Sequence, residues 1–334
     1  MVESALDRAG AMGFGVEGGM IGGAFKARPD LLASFVVFFA GGLWGLYWYP
    51  MRAIQAAGVA APWVIVLVGG VATLVLLPFA LWRWRQIRAN GWPVLSIGLL
   101  VGTGFVAYNT SVLTTDVARA LLLFYLTPVW GAIFGRVFLG ERITLPRIVA
   151  IGFGLAGLYV VLGASGPLPI PERLGDWLAI SAGIIWMLAT VLMRKYPGIP
   201  SVDLNASIFG CSFAISILMP LLVIPARFLA EMPTATQLGL AWPWILGTGI
   251  LLWPITQQFL FWAVPRVEVA RSGLLLLSEA MLGVASAAIL TDEPFGWRES
   301  IGSALILGAA LLDTLGVMAA PAPQPRESAG PASA

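Results

Sequence analysis

Residues 117–152 read VARALLLFYLTPVWGAIFGRVFLGERITLPRIVAIG, and residues 269–302 read VARSGLLLLSEAMLGVASAAILTDEPFGWRESIG. Both open on Val-Ala-Arg and run through an apolar stretch. Each carries a glutamate 24 residues after the opening valine (Glu141, Glu293), and each closes on Ile-Gly (Ile151-Gly152, Ile301-Gly302). The echo continues upstream. Gly102-Thr103-Gly104 reappears as Gly247-Thr248-Gly249. Trp44, eight residues before Arg52 in Met51-Arg52, reappears as Trp186, eight residues before Arg194 in Met193-Arg194. Five correspondences in one order make the chain an internal duplication.

The duplicated unit is too apolar for water. Of 334 residues, 59% are hydrophobic and 11% charged, with a mean hydropathy of +0.89; soluble domains run roughly 45–50% apolar and about 25% charged. A bilayer core of roughly 30 Å is crossed by about 20 apolar residues in a helix. Uncharged or nearly uncharged stretches run at 31–51, 53–82, 89–115, 120–135, 148–171, 177–193, 204–226, 232–265, 272–291 and 299–319. The expected fold is therefore an all-α polytopic membrane protein with ten transmembrane helices and no soluble domain. The first repeat covers 31–164 and the second 165–319, with disordered cytoplasmic tails at 1–30 and 320–334.

Five spans per unit is an odd number, so the second repeat enters the membrane in the opposite sense. Such inverted repeats place a substrate site near the midplane and expose it alternately to each side. With a cytoplasmic N-terminus, fourteen of the nineteen Lys and Arg residues fall on that side. The positive-inside rule then puts both termini in the cytoplasm. Residues 1–30 lack the apolar run and small-residue cleavage site of a signal peptide.

Several chemistries fall away. The chain has no histidine, which removes imidazole catalysis, Ser-His-Asp arrangements and most zinc sites. The single Cys211 excludes an internal disulfide or a CxxC motif. Lysine occurs only at 26 and 195, neither after glycine, so there is no Walker A loop. A net charge of +2 gives no reason to expect a nucleic-acid partner. No cofactor or metal is expected. Gly152 to Gly157 and Gly13 to Gly18 fit GxGxxG, but one lies in an apolar span and the other in a polar tail. The pairs Gly41/Gly45, Gly98/Gly102 and Gly131/Gly135 fit GxxxG and are expected to let helices approach within one monomer rather than mark a dimer.

Candidate chemistry sits in polar and aromatic residues at membrane depth. Trp44 and Tyr47 share one face of the first span with Trp48, as cavity lining or as an interfacial belt. Tyr108-Asn109 in the third span, Tyr125 in the fourth, and Thr256-Gln257-Gln258 after Trp253-Pro254 in the eighth must face protein or water. They serve either as interhelical hydrogen bonds or as recognition groups, and amides carry both donors and acceptors for a zwitterion. Glu279, beside Ser278, is the one charge between 272 and 291. It is structural glue when protonated, an anchor for a substrate ammonium, or a proton carrier. Asp313, near the cytoplasmic end of the tenth span, suits snorkelling or local pairing rather than a role in transport. Pro128 and Pro254 should kink their helices, as hinges or as scaffold.

Thr127-Pro128-Val129-Trp130, running through Leu139-Gly140-Glu141-Arg142 to Ile151-Gly152 and Gly157, resembles the EamA repeat of the drug/metabolite transporter superfamily. Ser278-Glu279-Ala280, running through Asp292-Glu293 to Ile301-Gly302 and Gly308, resembles its second copy. The likeness covers 31–319. It departs where family members often have Glu-Pro, here Glu279-Ala280, which leaves a kink at that point open. The resemblance implies ten helices and export of small metabolites without ATP hydrolysis. It is nearest the amino-acid exporters, the aromatic branch in particular. On that reading Trp44, Tyr47, Tyr108, Asn109, Tyr125, Trp186, Trp253, Gln257, Gln258, Ser278 and Glu279 bind a small-molecule substrate such as an amino acid. The protein is a monomer in the lipid bilayer of the bacterial inner membrane, with no obligate protein partner. Efflux of drugs or other hydrophobic compounds is the alternative cargo. An integral-membrane lipid-modifying enzyme is the alternative of another class, set against the scattering of the acidic residues.

Overall fold

The structure, a computed structural model, describes residues 29–115, 117–162, 170–290 and 296–318. The expected tails, apart from Pro29 and Asp30, the repeat junction at 164/165 and Asp292-Glu293 lie outside the described residues. Among the described residues every regular element is helical. Numbered in chain order, the apolar segments are α1 (Asp30–Ala56), α2 (Ala61–Trp82), α3 (Trp92–Ser111), α4 (Arg119–Leu139), α5 (Leu145–Val161), α6 (Leu174–Lys195), α7 (Ser201–Leu222), α8 (Ala235–Arg266), α9 (Val269–Leu290) and α10 (Trp297–Gly316). Nine are long enough to cross a membrane, and α5 is shorter at 17 residues. Large apolar side chains such as Leu74, Leu222 and Ile289 are 66%, 81% and 80% exposed, as expected where the surrounding medium is hydrocarbon rather than water.

Prolines stand where helices start. In α2, α3 and α5 they occupy the first turn, where the missing N–H costs no bond. Gly140, at φ +69°, ends α4 in the left-handed conformation that glycine tolerates.

The packing follows the duplication. α5 packs against α10, α2 against α7, and α4 against α9; α3 lies on α6 as α1 lies on α8, and α6 meets α4 as α1 meets α9. Each of these pairings has its counterpart five helices on, which is the pattern of two halves related by a pseudo-twofold axis. The glycine pairs serve these contacts within the chain. A Cβ on Gly157 or Gly302 would sit 2.7 Å from the other's carbonyl oxygen, so α5 and α10 touch backbone to backbone. Gly45 of α1 packs on the carbonyl of Glu279 and the amide of Gly283 in α9.

Four helices are interrupted, all beside the molecule's central cavity. α4 breaks at Tyr125–Leu126 because Pro128 has no N–H for the Phe124 carbonyl. α1 breaks at Gly45–Tyr47, ahead of Pro50, with successive bonds tightened to the i−3 carbonyl. α8 carries a π segment, Gly247–Leu252, immediately before Pro254. α9 breaks at Leu276–Leu277 with no proline at all. The kink left open by the replacement of proline with Ala280 is therefore present. Its cause is tertiary: the Ser278 hydroxyl donates to the Phe38 carbonyl of α1 at 2.7 Å, while Glu279 and Ala280 bond back only three residues.

Buried charges outside the cavity are paired. Asp313 of α10 accepts from Arg271 at 2.6 Å and from Arg147 at 3.1 Å, and Arg147 also bonds Glu268. Asp176 accepts from Arg119 at 2.8 Å, Thr115 at 2.7 Å and two backbone amides. Glu141 caps the start of α9 at the Val269 amide and pairs with Arg194 at 2.6 Å. Arg271 and Asp313 are 2% and 3% exposed, so Asp313 is a buried partner and not a surface group. Asp313→Ala strands the Arg271 guanidinium and leaves Arg147 to Glu268 alone. It should lower unfolding free energy by about 3–5 kcal/mol, read as a fall in the melting temperature of purified protein, whereas Arg227→Ala at the exposed Arg227–Glu231 pair should leave it unchanged.

Candidate functional site

The interrupted helices surround one cavity, lined by α1, α3 and α4 of the first repeat and by α6, α7, α8 and α9 of the second. It has a volume of about 90 Å³, enough to admit several waters. α2, α5 and α10 stand outside it.

One wall is aromatic. Trp253, 2% exposed, stands at its centre. Trp44 stacks on it at 5.7 Å and Tyr47 at 5.2 Å, while Phe105 meets it edge-on at 5.0 Å and Phe209 lies at 5.6 Å. Such pairs stabilise beyond their buried area by about 0.5–1.5 kcal/mol each, so this wall holds its shape before any ligand arrives. Across the cavity Tyr108 contacts Phe124 at 4.5 Å, and Phe124 contacts Tyr125 at 5.1 Å. Trp44 and Trp186, paired by the internal repeat, both line the space.

The polar end is built where α4 and α9 cross at their breaks. Glu279 lies in the first turn of the helical segment Ser278–Leu290, where the free amides of a helix start favour a negative charge. Tyr108 and Tyr125 are close enough to feel that charge. The Tyr125 hydroxyl meets the Glu279 carboxylate. Three other lining side chains carry a buried polar atom with no partner in the protein: the Thr127 hydroxyl, the Trp253 indole N–H and the Gln257 Oε1. Together with Glu279 they give the space polar groups that water or a ligand must satisfy.

Of the residues singled out from sequence, Trp44, Tyr108, Tyr125, Trp186, Trp253, Gln257 and Glu279 line the cavity, as does Thr256. Four others are placed elsewhere. Asn109 turns its amide back onto the Phe105 carbonyl of its own helix at 2.8 Å. Gln258 bonds Ser201 at 2.7 Å and Asn205 at 3.2 Å, tying α8 to α7. Ser278 is fully buried against α1. Tyr47 stands behind Trp44, stacked on it at 5.2 Å. Pro128 and Pro254 each begin the helical segment just beyond a break. Sequence reasoning missed Phe105, Phe209 and Ser212; Phe105, three residues before Tyr108 on one helix face, was the findable one.

Comparison with known proteins gives the following. The EamA-like transporter family matches residues 31–163 and 173–314. The chain is similar to "Aromatic amino acid exporter YddG" of Ancylobacter novellus, 30% identical over 242 residues, covering 69% of this chain and 78% of the relative. It is similar to "Probable terminal-alkyne amino-acid exporter" of Streptantibioticus cattleyicolor, 28% identical over 246 residues, covering 70% and 74%. An "Uncharacterized transporter" of Archaeoglobus fulgidus is 23% identical over 239 residues, covering 72% and 81%. A crystal structure of a protein 23% identical to this one covers 87% of this chain and 98% of its own with a TM-score of 0.70, a likeness of fold.

The neighbours Gln257 and Gln258 give a direct check on the geometry. On a Cys211→Ser background, Gln257→Cys should react with a small methanethiosulfonate reagent in detergent. Gln258→Cys, turned into the α7 contact, should react about tenfold more slowly or worse, since a packed position must first open. Equal rates would mean that the phase of α8 is wrong.

Proposed function

Because the chain belongs to the EamA-like transporter family, we propose that it is a secondary exporter of small amphipathic metabolites, neutral amino acids foremost and aromatic ones among them. Its helices make it a multi-pass membrane protein, and the central cavity is the binding site exposed alternately to the two sides. The cavity draws on both repeats of one chain, which favours the monomer as the working unit. The charge split favours both termini in the cytoplasm of a bacterial inner membrane.

The observation that carries the substrate reading is the set of polar groups around the cavity. An α-amino acid holds an ammonium and a carboxylate on one carbon, so its site needs acceptors and donors side by side. Glu279 and the Gln257 Oε1 are acceptors; the Tyr125 and Thr127 hydroxyls and the Trp253 N–H are donors. A leucine-sized molecule of about nine non-hydrogen atoms is comparable with the waters the space admits, and the aromatic wall favours apolar and aromatic side chains. Two relatives named as amino-acid exporters point the same way. The same aromatic wall would also suit a hydrophobic amine, the cargo of a drug-efflux transporter. Such a molecule leaves the Thr127 hydroxyl and the Trp253 N–H without an acceptor, at roughly 1–3 kcal/mol each.

Reconstituted protein should therefore exchange labelled leucine or phenylalanine across liposomes without ATP. Tyr125→Phe should raise the half-saturating concentration for amino acids about tenfold to a hundredfold, the worth of a hydrogen bond to a charged group, and should leave amines that lack a carboxylate unaffected. Flux of amines with no counterflow of any amino acid would replace this reading by the drug-efflux one. Sidedness is read separately in intact cells on the Cys211→Ser background: a cysteine at position 173 should label from outside, and one at position 85 only after permeabilisation.

A further inference from the structure

The register that pairs Trp44 with Trp186 and Arg52 with Arg194 also pairs Pro78 of α2 with Pro220 of α7, and it sets Arg85 opposite Arg227. Each of these two arginines stands on a short helix just beyond its span, Trp84–Ala89 after α2 and Pro225–Ala230 after α7. There the copies part. Arg227 donates to Glu231, four residues on, at 2.7 Å. Four residues after Arg85 stands Ala89, and the position that is Ala230 in the second copy is Arg88 in the first. One repeat neutralises its arginine within a turn, while the other sets a second arginine beside it. Arg85 and Arg88 are both exposed. Neither meets a carboxylate among the described residues, and Arg88 lies over the Trp84 ring at 5.6 Å.

The pair is presented on a fixed turn. Asp203, fully buried near the start of α7, accepts from Arg83 at 2.5 and 3.0 Å and from Asn90 at 3.2 Å, which clamps both ends of the short helix. Helical bonding runs on into it from α2: the Arg83 amide donates to the Phe79 carbonyl and the Ile87 amide to the Arg83 carbonyl, each at 2.9 Å. Residues three and four apart therefore share one face, which reads Leu74, Leu77, Leu81, Arg85, Arg88. Its three leucines are exposed at the depth of hydrocarbon. Trp82 and Trp84 flank the arginines, 74% and 54% exposed, as tryptophans stand at a bilayer interface. Two like charges one turn apart repel unless an anion joins them, and guanidinium groups take phosphate oxygens in a paired geometry.

We infer that this face binds one anionic phospholipid of the inner leaflet, its phosphate held by Arg85 and Arg88 and an acyl chain lying along Leu81, Leu77 and Leu74. The inference concerns a site outside the cavity and is independent of the substrate reading; it rests on the sidedness proposed above, which turns the inner end of α2 toward the leaflet that carries the negative surface potential. The Arg227–Glu231 copy faces the other leaflet and is already neutral. A free phosphate would fit the arginines alone, but the tryptophans and the leucine stripe set them at headgroup depth, where lipid phosphates are already concentrated.

The test mixes delipidated full-length protein in detergent with phosphatidylglycerol or phosphatidylcholine of identical chains and counts bound lipid by native mass spectrometry. Wild type should hold one phosphatidylglycerol at least about tenfold more tightly than phosphatidylcholine, the worth of a hydrogen bond between charged groups. Arg85→Gln with Arg88→Gln should bring the two lipids level. Arg85→Lys with Arg88→Lys should keep part of the preference, which also covers a glutamine pair that fails to fold. Arg136→Gln with Arg142→Gln, which removes two exposed charges from the same side, and Arg227→Gln should each leave the preference intact. Inorganic phosphate should not displace the lipid. No preference in wild type, equal loss in the Arg136/Arg142 pair, or displacement by phosphate would overturn the inference, and so would labelling of a cysteine at position 85 from outside. Failure of amino-acid counterflow would leave it standing.

Discussion

In hydrocarbon a peptide group without a hydrogen-bond partner costs several kcal/mol, because no water is there to replace it. The constraint makes every described element helical, and it also dictates where a helix can stop being regular. In this protein α1, α4, α8 and α9 are all interrupted at one level, around one cavity, while α3, α6 and α7 run through unbroken. The freed backbone groups there are buried in protein. The Phe124 carbonyl, freed by Pro128, faces Gly183; beside the other breaks, side chains reach helical carbonyls, the Asn205 amide to Pro254 at 3.0 Å and the Ser278 hydroxyl to Phe38. Irregular backbone and polar cavity therefore occur together for one reason: each needs shelter from lipid.

Charge follows the same logic with the opposite outcome. At the helix ends the arginines and carboxylates find one another, as Asp313 does with Arg271 and Arg147, and these pairs tie the fifth, ninth and tenth helices together. In the cavity Glu279 meets no arginine and has the Tyr125 hydroxyl beside it instead. Charge is thus compensated by opposite charge in the scaffold and only by neutral groups around the cavity.

Much of this was legible in the sequence. Hydropathy marks helices in a membrane strongly, and the Val-Ala-Arg and Gly-Thr-Gly repeats carried the duplication that the pairing of α4 with α9 and α5 with α10 displays. What was not legible is helix phase. Gln257 and Gln258 are neighbours of identical chemistry, rotated by about 100° on the helix, and only the position of Ser201 and Asn205 on α7 decides which one meets the cavity. Asn109 likewise read as a recognition group, yet nothing in the sequence tells an amide that reaches across a helix contact from one that bonds its own turn. The break in α9 was hidden for a similar reason. A proline signals a kink locally, whereas this one arises where Ser278 bonds Phe38 and Gly45 packs on the Glu279 carbonyl, across two helices more than 200 residues apart in the chain.

The register set by Val117 and Val269 places Thr127 opposite Glu279. Both line the cavity, each just beyond the break of its helix, and the Thr127 hydroxyl is unpaired. The two repeats thus offer the same position near the pseudo-twofold axis, filled by a neutral group in one and an acid in the other. Two acids there would repel at short range, and one of them would have to bind a proton permanently. Two hydroxyls would offer an ammonium hydrogen bonds but no counter-charge. On the proposed reading, a single acid near the axis of an otherwise symmetric scaffold would keep nearly the same surroundings when the halves exchange conformations, so a ligand's charge would not need to change partner as the cavity turns from one side of the membrane to the other.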